Sequence, residues 1–433
     1  MKQLDLKPTD ENIMNTFDKD SIGRNSVVTK FVKTLIYHNN IWSIAVDGKW
    51  GSGKTFFVKQ CKLILDCLSD KICNNYKEKI LKILPKYGIE VSQKLKYKTV
   101  YFDAWKNDSD LDPLVSLSQS IATTTSKLKA KAKIVAKKLV KIAVKESCKF
   151  DIISMLDVLQ TEEKIETKFK KELSSLIPKD GRLVVFIDEL DRCRPIFSVK
   201  LLERVQHFFD NENITFVFAI NRYELKNTIQ KLYGSKFDGD RYLDRFFDLI
   251  INLPEPNLHY HYDNIDSSNE NEKDFLQYCD DIAKKFKLTL REKNHFLSMV
   301  NMTGVKNRYT NWNYKFSELG YGYMIADFFI IPYLIAAKIV DSEEFNDFLF
   351  NTDGKNFEEF LVSNEKFSEF IFNTNLNELE EAAKTIYKCI FVDTKEKKQI
   401  KITPKIFIKN TDKLRTYIMN NISLVSDLSD FSD

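Results

Sequence analysis

Arginine is scarce in this sequence. Eleven arginines stand against a large excess of lysine, and seven of the eleven fall between Arg182 and Arg245. A chain so biased towards lysine keeps arginine where the planar, bidentate guanidinium fork matters. Arg192, Arg194, Arg222, Arg241 and Arg245 are therefore candidates for phosphate or carboxylate pairing, some of them as plain ion-pair partners. Paired cysteines are lacking too. The seven cysteines are an odd number without a C-x-x-C pair, and Cys61, Cys67 and Cys389 lie in apolar or helical surroundings. That argues against a disulfide framework or a zinc site and for a reducing compartment. His259 and His261 have no third ligand nearby and do not make a metal site.

Charge of one sign is also missing. With 66 basic against 62 acidic residues the net charge is +4, which excludes a polycation built to coat nucleic acid; any such contact needs a local patch. The opening MKQLDLKPTDENIMN has no apolar core of the kind a secretory signal requires. No stretch reaches the ~18 uninterrupted apolar residues that span a bilayer. The nearest, Tyr321–Val340, carries Asp327 and Pro332 and is expected to be a buried helix pair bent at the proline. No repeat is evident. These absences lead to the expectation of a cytoplasmic, soluble protein, with peripheral contact at the inner face of a membrane left open.

What is present centres on Ile41–Cys67. An apolar strand (Ile41–Val46) runs into GKWGSGKT, Gly48 to Thr55, and then into a helix expected to open at Thr55. The turn fits G-x-x-x-x-G-K-[ST] without a mismatch. Gly48, Gly51 and Gly53 are expected to curl the backbone at positive φ and aim its N–H groups at an anion. The helix N-terminus adds unpaired N–H groups and the positive end of its dipole. Lys54 would meet the β- and γ-phosphates of a nucleotide, and the Thr55 hydroxyl would ligate Mg²⁺. Gly48, Lys49, Trp50, Gly51, Ser52, Gly53, Lys54, Thr55 and Phe56 are thus the candidate nucleotide contacts.

Along the chain, residues 1–25 read as a polar lead-in, and Ser26–His38 as a helix feeding the first strand. Thr99–Phe102 is a second strand ending at Asp103 and Trp105; Asp103 is either near the nucleotide or caps a loop. Ala122–Lys145 holds eight lysines and no acid. It is either a solvated face on a packed helix or a basic amphipathic helix for nucleic acid or an anionic membrane. A further helical span covers Asp151–Leu176. Leu183–Ile187 is a run suited to a central parallel strand, delivering Asp188 and Glu189 at its end. The first carboxylate would hold Mg²⁺ and the second would activate the attacking water. Ile214–Leu225 contains another strand ending at Asn221, which either reaches the attacking water or γ-phosphate or caps the next helix. Arg241–Pro256 is a helix breaking into a fifth strand, and a polar linker follows. Arg291, near the start of a later helix, is a candidate lid arginine.

Three of these elements, GKWGSGKT, VYFDAW (Val100–Trp105) and VVFIDELDRC (Val184–Cys193), resemble the KAP family of P-loop NTPases. FAINRYEL and RYLDRFFDLIINLP fit as well, so the resemblance spans roughly Ser26 to Pro256. It implies an α/β fold: a parallel-sheet P-loop NTPase core of the additional-strand type, followed by a mainly helical lid and C-terminal domain. The expected division is 1–25 lead-in, 26–256 core with a lysine-rich helical insertion at about 122–176, 257–325 helical lid and 326–433 helical C-terminal domain. The resemblance implies ATP and Mg²⁺ as ligands and ATPase activity. Lys54, Glu189, Asp191, Asn221 and Arg245 are the candidate catalytic residues, and Thr55 and Asp188 the candidate metal ligands. Family members often carry Asp where this chain has Asn221, and many carry transmembrane helices where this chain has its lysine-rich stretch. Bacterial relatives are associated with phage exclusion and signalling, which suggests a nucleotide-dependent switch acting on a protein partner or a homo-oligomer. A nucleic-acid-stimulated ATPase and a non-hydrolysing ATP-bound scaffold are the alternatives.

Overall fold

The computed structural model describes residues 7–37, 42–69, 74–89, 96–110, 112–126, 170–171, 173–175, 177–179, 181–208, 211–256, 270–305, 320–350, 354–371, 375–393 and 399–429. Most of the lysine-rich run, most of the helical span expected at 151–176, and His259 and His261 lie outside the described residues. The chain forms two compact units that part after Asn257.

The first unit is built on five strands: β1 (Ser43–Asp47), β2 (Tyr97–Asp103), β3 (Arg182–Asp188), β4 (Ile214–Ile220) and β5 (Leu249–Asn252). They stand in the order β2-β3-β4-β1-β5, every neighbouring pair parallel. RLVVFID and ITFVFAI are buried along their whole length. Both faces of a central parallel strand are covered, so such strands lack polar alternation. β4 lies between β1 and β3, which is the additional-strand arrangement. It leaves the turns after β1 and β3 facing one another across the end of β4.

Period-two alternation sorts β2 and β3 into two faces. Val100, Phe102, Leu183, Val185 and Ile187 join one apolar cluster with Leu114 and Leu117 of α5 (Pro113–Ser126). The other face of β2 meets α3 (Lys54–Leu68), where Thr99 donates to Asp66 and Lys59 Nζ stands 4.6 Å above the Tyr101 ring. Within the segment before Ser26, expected as a lead-in, residues 7–25 are folded. Thr9 caps α1 (Asp10–Lys19) by accepting from Asn12 N–H at 3.3 Å, and Ile13, Met14 and Phe17 are buried. α2 (Asn25–Tyr37) follows and packs Phe31 edge-on to Phe57 of α3 at 5.4 Å. α4 (Asn74–Ile83), α6 (Pro195–Phe208), α7 (Arg222–Tyr233) and α8 (Gly239–Leu243) complete the unit.

The second unit is mainly helical: α9 (Glu270–Lys285), α10 (Leu290–Met302), α11 (Gly320–Ile325), α12 (Ile331–Val340), α13 (Ser342–Leu349), α14 (Lys355–Ser363), α15 (Glu365–Phe370), α16 (Leu376–Tyr387) and α17 (Thr411–Ser429). One apolar core runs through it from Phe275 to Ile422. Tyr321–Val340 is not a helix pair bent at the proline. It is one continuous run in which a π-helical turn, Ala326–Ile330, joins α11 to α12. Pro332 falls in the first turn of α12, and the wider turn before it absorbs the missing N–H donor. The run is long and apolar enough to cross a membrane by length and composition, yet 72% of it is buried inside the protein. Its one acid, Asp327, accepts from Tyr417 Oη at 2.7 Å. A short antiparallel hairpin, β6 (Gln399–Lys401) with β7 (Phe407–Lys409), interrupts the helices and was not anticipated from the sequence.

Phe329 lies at the centre of this core, its ring 5.1 Å from Tyr278 and 5.4 Å from Phe367. Phe329→Ala is expected to cost the second unit about 3–5 kcal/mol, measured by urea denaturation of the full chain. A loss under about 1 kcal/mol, the scale of an ordinary surface substitution, would contradict this packing.

Candidate nucleotide site

The turn after β1 is held by glycine at two positions. Gly51 and Gly53 have φ of 78° and 91°, where a Cβ is disfavoured. Gly48 departs from the expectation: it is not at positive φ. A Cβ there would lie 2.7 Å from Ser52 Oγ, so the serine hydroxyl would have to turn away. The helix opens at Lys54, one residue earlier than expected, with Gly53 as its cap.

Lys54 is buried, and its amine folds over the loop to donate to Gly48 O at 2.7 Å and Lys49 O at 3.1 Å. Burial lowers its pKa, while the carboxylates of Asp191, Asp188, Glu189 and Asp47 push the other way. The turns after β1 and β3 therefore converge. Asp188, 1% exposed, accepts from the Thr55 hydroxyl, from Tyr101 Oη at 2.8 Å and from the Glu189 N–H at 2.9 Å. Burial raises its pKa; these donors and the Lys54 charge oppose the rise.

Glu189 adopts the left-handed conformation at φ 61°, which is strained for a side chain with a Cβ. The sharp turn re-aims the chain at the end of β3 and starts the short helical turn Leu190–Arg192. Its carboxylate pairs with Arg192, whose guanidinium stacks 5.5 Å from the exposed Trp105 ring. Burial first, then Asp188, raises the Glu189 pKa, with Arg192 working against both.

Asp191 is buried and bound to the loop itself: Trp50 Nε1 donates to its Oδ2 at 2.6 Å. Its Oδ1 is buried without a hydrogen-bond partner among the described residues, as is Ser52 Oγ. Orphaned oxygens beside a ring of backbone N–H groups and a helix N-terminus suit a ligand carrying both anionic oxygens and a hydrated cation. A hard divalent cation takes oxygen ligands, and the Thr55 hydroxyl next to the Asp188 carboxylate is such a pair.

The remaining candidates are spread out. Asn221, at the end of β4, accepts from Glu224 N–H at 3.4 Å and so caps α7. Asp103 caps its own turn, accepting from Lys106 N–H at 3.1 Å. Arg194 pairs with Asp108 at 3.2 Å and Arg222 with Asp244 at 2.7 Å, both as carboxylate partners. Arg245 is exposed and has no ion-pair partner among the described residues. Lys49 is exposed and Phe56 is buried in α3. Arg291 belongs to the second unit, on the first turn of α10.

Two residues escaped sequence reasoning. Arg24, 1% exposed, donates from Nη1 to Ser52 O at 2.7 Å and from Nη2 to Pro254 O. It clamps the phosphate loop to the segment that follows β5. Burial brings its pKa down to about 10. Its scarcity among lysines was the only available signal. Tyr101 is the other, visible only as the middle of the Thr99–Tyr101–Asp103 alternation.

A parallel sheet with β4 between the strand of the glycine loop and the strand of the acidic pair defines a P-loop NTPase. The chain belongs to the KAP family: the KAP family P-loop domain matches residues 24–307. The phage T7 exclusion protein of Escherichia coli (strain K12) is 26% identical to it over 99 residues, which are 23% of this chain and 13% of that protein. C. elegans PCH-2, a solved structure, is 14% identical over 64% of this chain and 48% of its own, with a TM-score of 0.22.

A lysine at position 24 has one nitrogen in place of the two that separately meet Ser52 O and Pro254 O, so it does not reproduce the fork. Arg24→Lys is expected to lower the stability of the first unit by about 2 kcal/mol, measured by chemical denaturation. A stability unchanged within about 0.5 kcal/mol would remove the clamp from this account.

Proposed function

We propose that the chain binds ATP with Mg²⁺, hydrolyses it slowly, and uses the nucleotide state as a switch in defence against phage. The observation that carries this is the convergence of Lys54 and Thr55 from one turn with Asp188 and Glu189 from another, two strands away in the sheet. The N–H groups of Gly48–Thr55 cradle the phosphates, and Lys54 exchanges its loop carbonyls for β- and γ-phosphate oxygens. Thr55 and Asp188 hold Mg²⁺, which neutralises charge on the phosphates. Glu189 accepts a proton from the attacking water; its raised pKa suits a general base. Asp191 holds Trp50 against the acidic turn. Asn221 stands between the two turns, where its amide nitrogen can meet the water or the γ-phosphate.

Arg245, exposed and without an ion-pair partner among the described residues, acts in this account on the nucleotide of a second copy. This reading calls for a homo-oligomer or a protein partner at the site. The likeness to a phage exclusion protein, although it covers 99 residues, supports the defence role.

Glu189→Gln is expected to bind a fluorescent ATP analogue normally while phosphate release falls at least ~100-fold. Lys54→Ala should lose the binding itself with an unchanged circular dichroism spectrum. Native turnover in either variant would exclude this site as the catalytic one. In cells challenged with a phage panel, the native chain should reduce plating on at least one phage and Lys54→Ala on none. Equal plating of every phage with both proteins would sink the defence role while leaving the ATPase reading to its own assay.

A further inference from the structure

Asp188 lies nearly out of reach of solvent, so the way its carboxylate is turned depends on the groups around it. Glu189 N–H holds Oδ1 at 2.9 Å, and Tyr101 Oη holds Oδ2 at 2.8 Å, with the Thr55 hydroxyl as a third donor. Strand register makes the Tyr101 contact possible. Tyr101 sits opposite Phe186 in the parallel β2–β3 pair, and Asp188 comes two residues further on, opposite Asp103. Residues two apart share a face and are separated by ~6.6 Å along the strand, which is the reach of a tyrosine side chain laid along it. The ring is held there from above by α3, where Lys59 Nζ lies 4.6 Å from its centroid. A phenol is protonated at neutral pH, so the hydroxyl donates to the carboxylate.

We propose that Tyr101 is the positioning residue for the metal-binding carboxylate: its hydroxyl keeps Asp188 turned towards Thr55, so that the two receive the Mg²⁺ of Mg–ATP together. This rests on the Mg–ATP reading above. Without the hydroxyl, Asp188 Oδ2 loses its side-chain donor in a buried site, and the carboxylate rotates to find another. Tyr101 does not touch the phosphates in this arrangement. Its loss therefore acts on what the metal adds to binding and leaves the loop's own grip on the triphosphate intact.

The test is a titration of the full chain with a fluorescent ATP analogue, once in EDTA and once in excess Mg²⁺. The native chain should bind more tightly with Mg²⁺. Tyr101→Phe should keep the affinity measured in EDTA and lose about tenfold of the magnesium gain, the scale of one hydrogen bond to a carboxylate. Lys59→Met leaves the hydroxyl in place and should keep the gain within about fivefold, the most that a cation–π contact of about 1 kcal/mol accounts for. An unchanged gain in Tyr101→Phe overturns the proposal. So does an equal fall in EDTA and in Mg²⁺, which would make Tyr101 a packing residue. A tenfold loss in Lys59→Met would assign the effect to the ring and also overturn it. Absence of any magnesium gain in the native chain would defeat the Mg–ATP reading, and this outcome is read without any variant.

Discussion

One ammonium group among four carboxylates governs the first unit. Lys54 lies in the field of Asp191, Asp188, Glu189 and Asp47, all at the carboxyl ends of strands or in the turns that follow them. Charges so far from water interact strongly and are costly to strand. The surplus of acid is met by donors rather than by further cations: Thr55 and Tyr101 on Asp188, Trp50 on Asp191, the Arg222 N–H on Asp47 at 2.8 Å. Of the four, only Glu189 is given a cation of its own among the described residues, Arg192. A pocket with this balance suits an anionic ligand that brings positive charge with it better than a bare anion.

The sheet makes that crowding possible. Because β4 separates β1 from β3, the two chemically loaded turns stand apart by one strand, and their side chains lean towards a common point instead of colliding. The α3 face of β2 is polar where it passes the site, with Thr99 and Tyr101, while its other face is apolar at Val100 and Phe102. A strand that serves a binding site on one side and a core on the other needs this division, and strict alternation supplies it.

Much of this was legible in the sequence. Continuous apolar runs mark β3 and β4, and GKWGSGKT spells its own geometry except at Gly48, which is not at positive φ. The contacts that were not legible join residues far apart along the chain: Arg24 with Pro254, 230 positions away, Trp50 with Asp191, 141 away, and Tyr101 with Asp188, 87 away. No local pattern encodes such pairs. Nor does composition forecast that Glu189 takes up a left-handed backbone, since only the fold around it makes the strain tolerable. Around Pro332 the sequence suggests two helices meeting at the proline, whereas a π turn just ahead of it keeps the helical run continuous. The β6–β7 hairpin is three residues per strand and too short for periodicity to register.

Arg24 grips one carbonyl in the glycine loop and another beyond the last strand of the sheet. A nascent chain that has emerged from the ribosome as far as Thr55 already contains every residue of the loop, yet the far handhold of the guanidinium is still some two hundred codons from being translated. Until Pro254 appears, the loop has no brace on that side. The brace on the loop is acquired late in synthesis, as a property of the completed unit and not of the eight-residue signature itself.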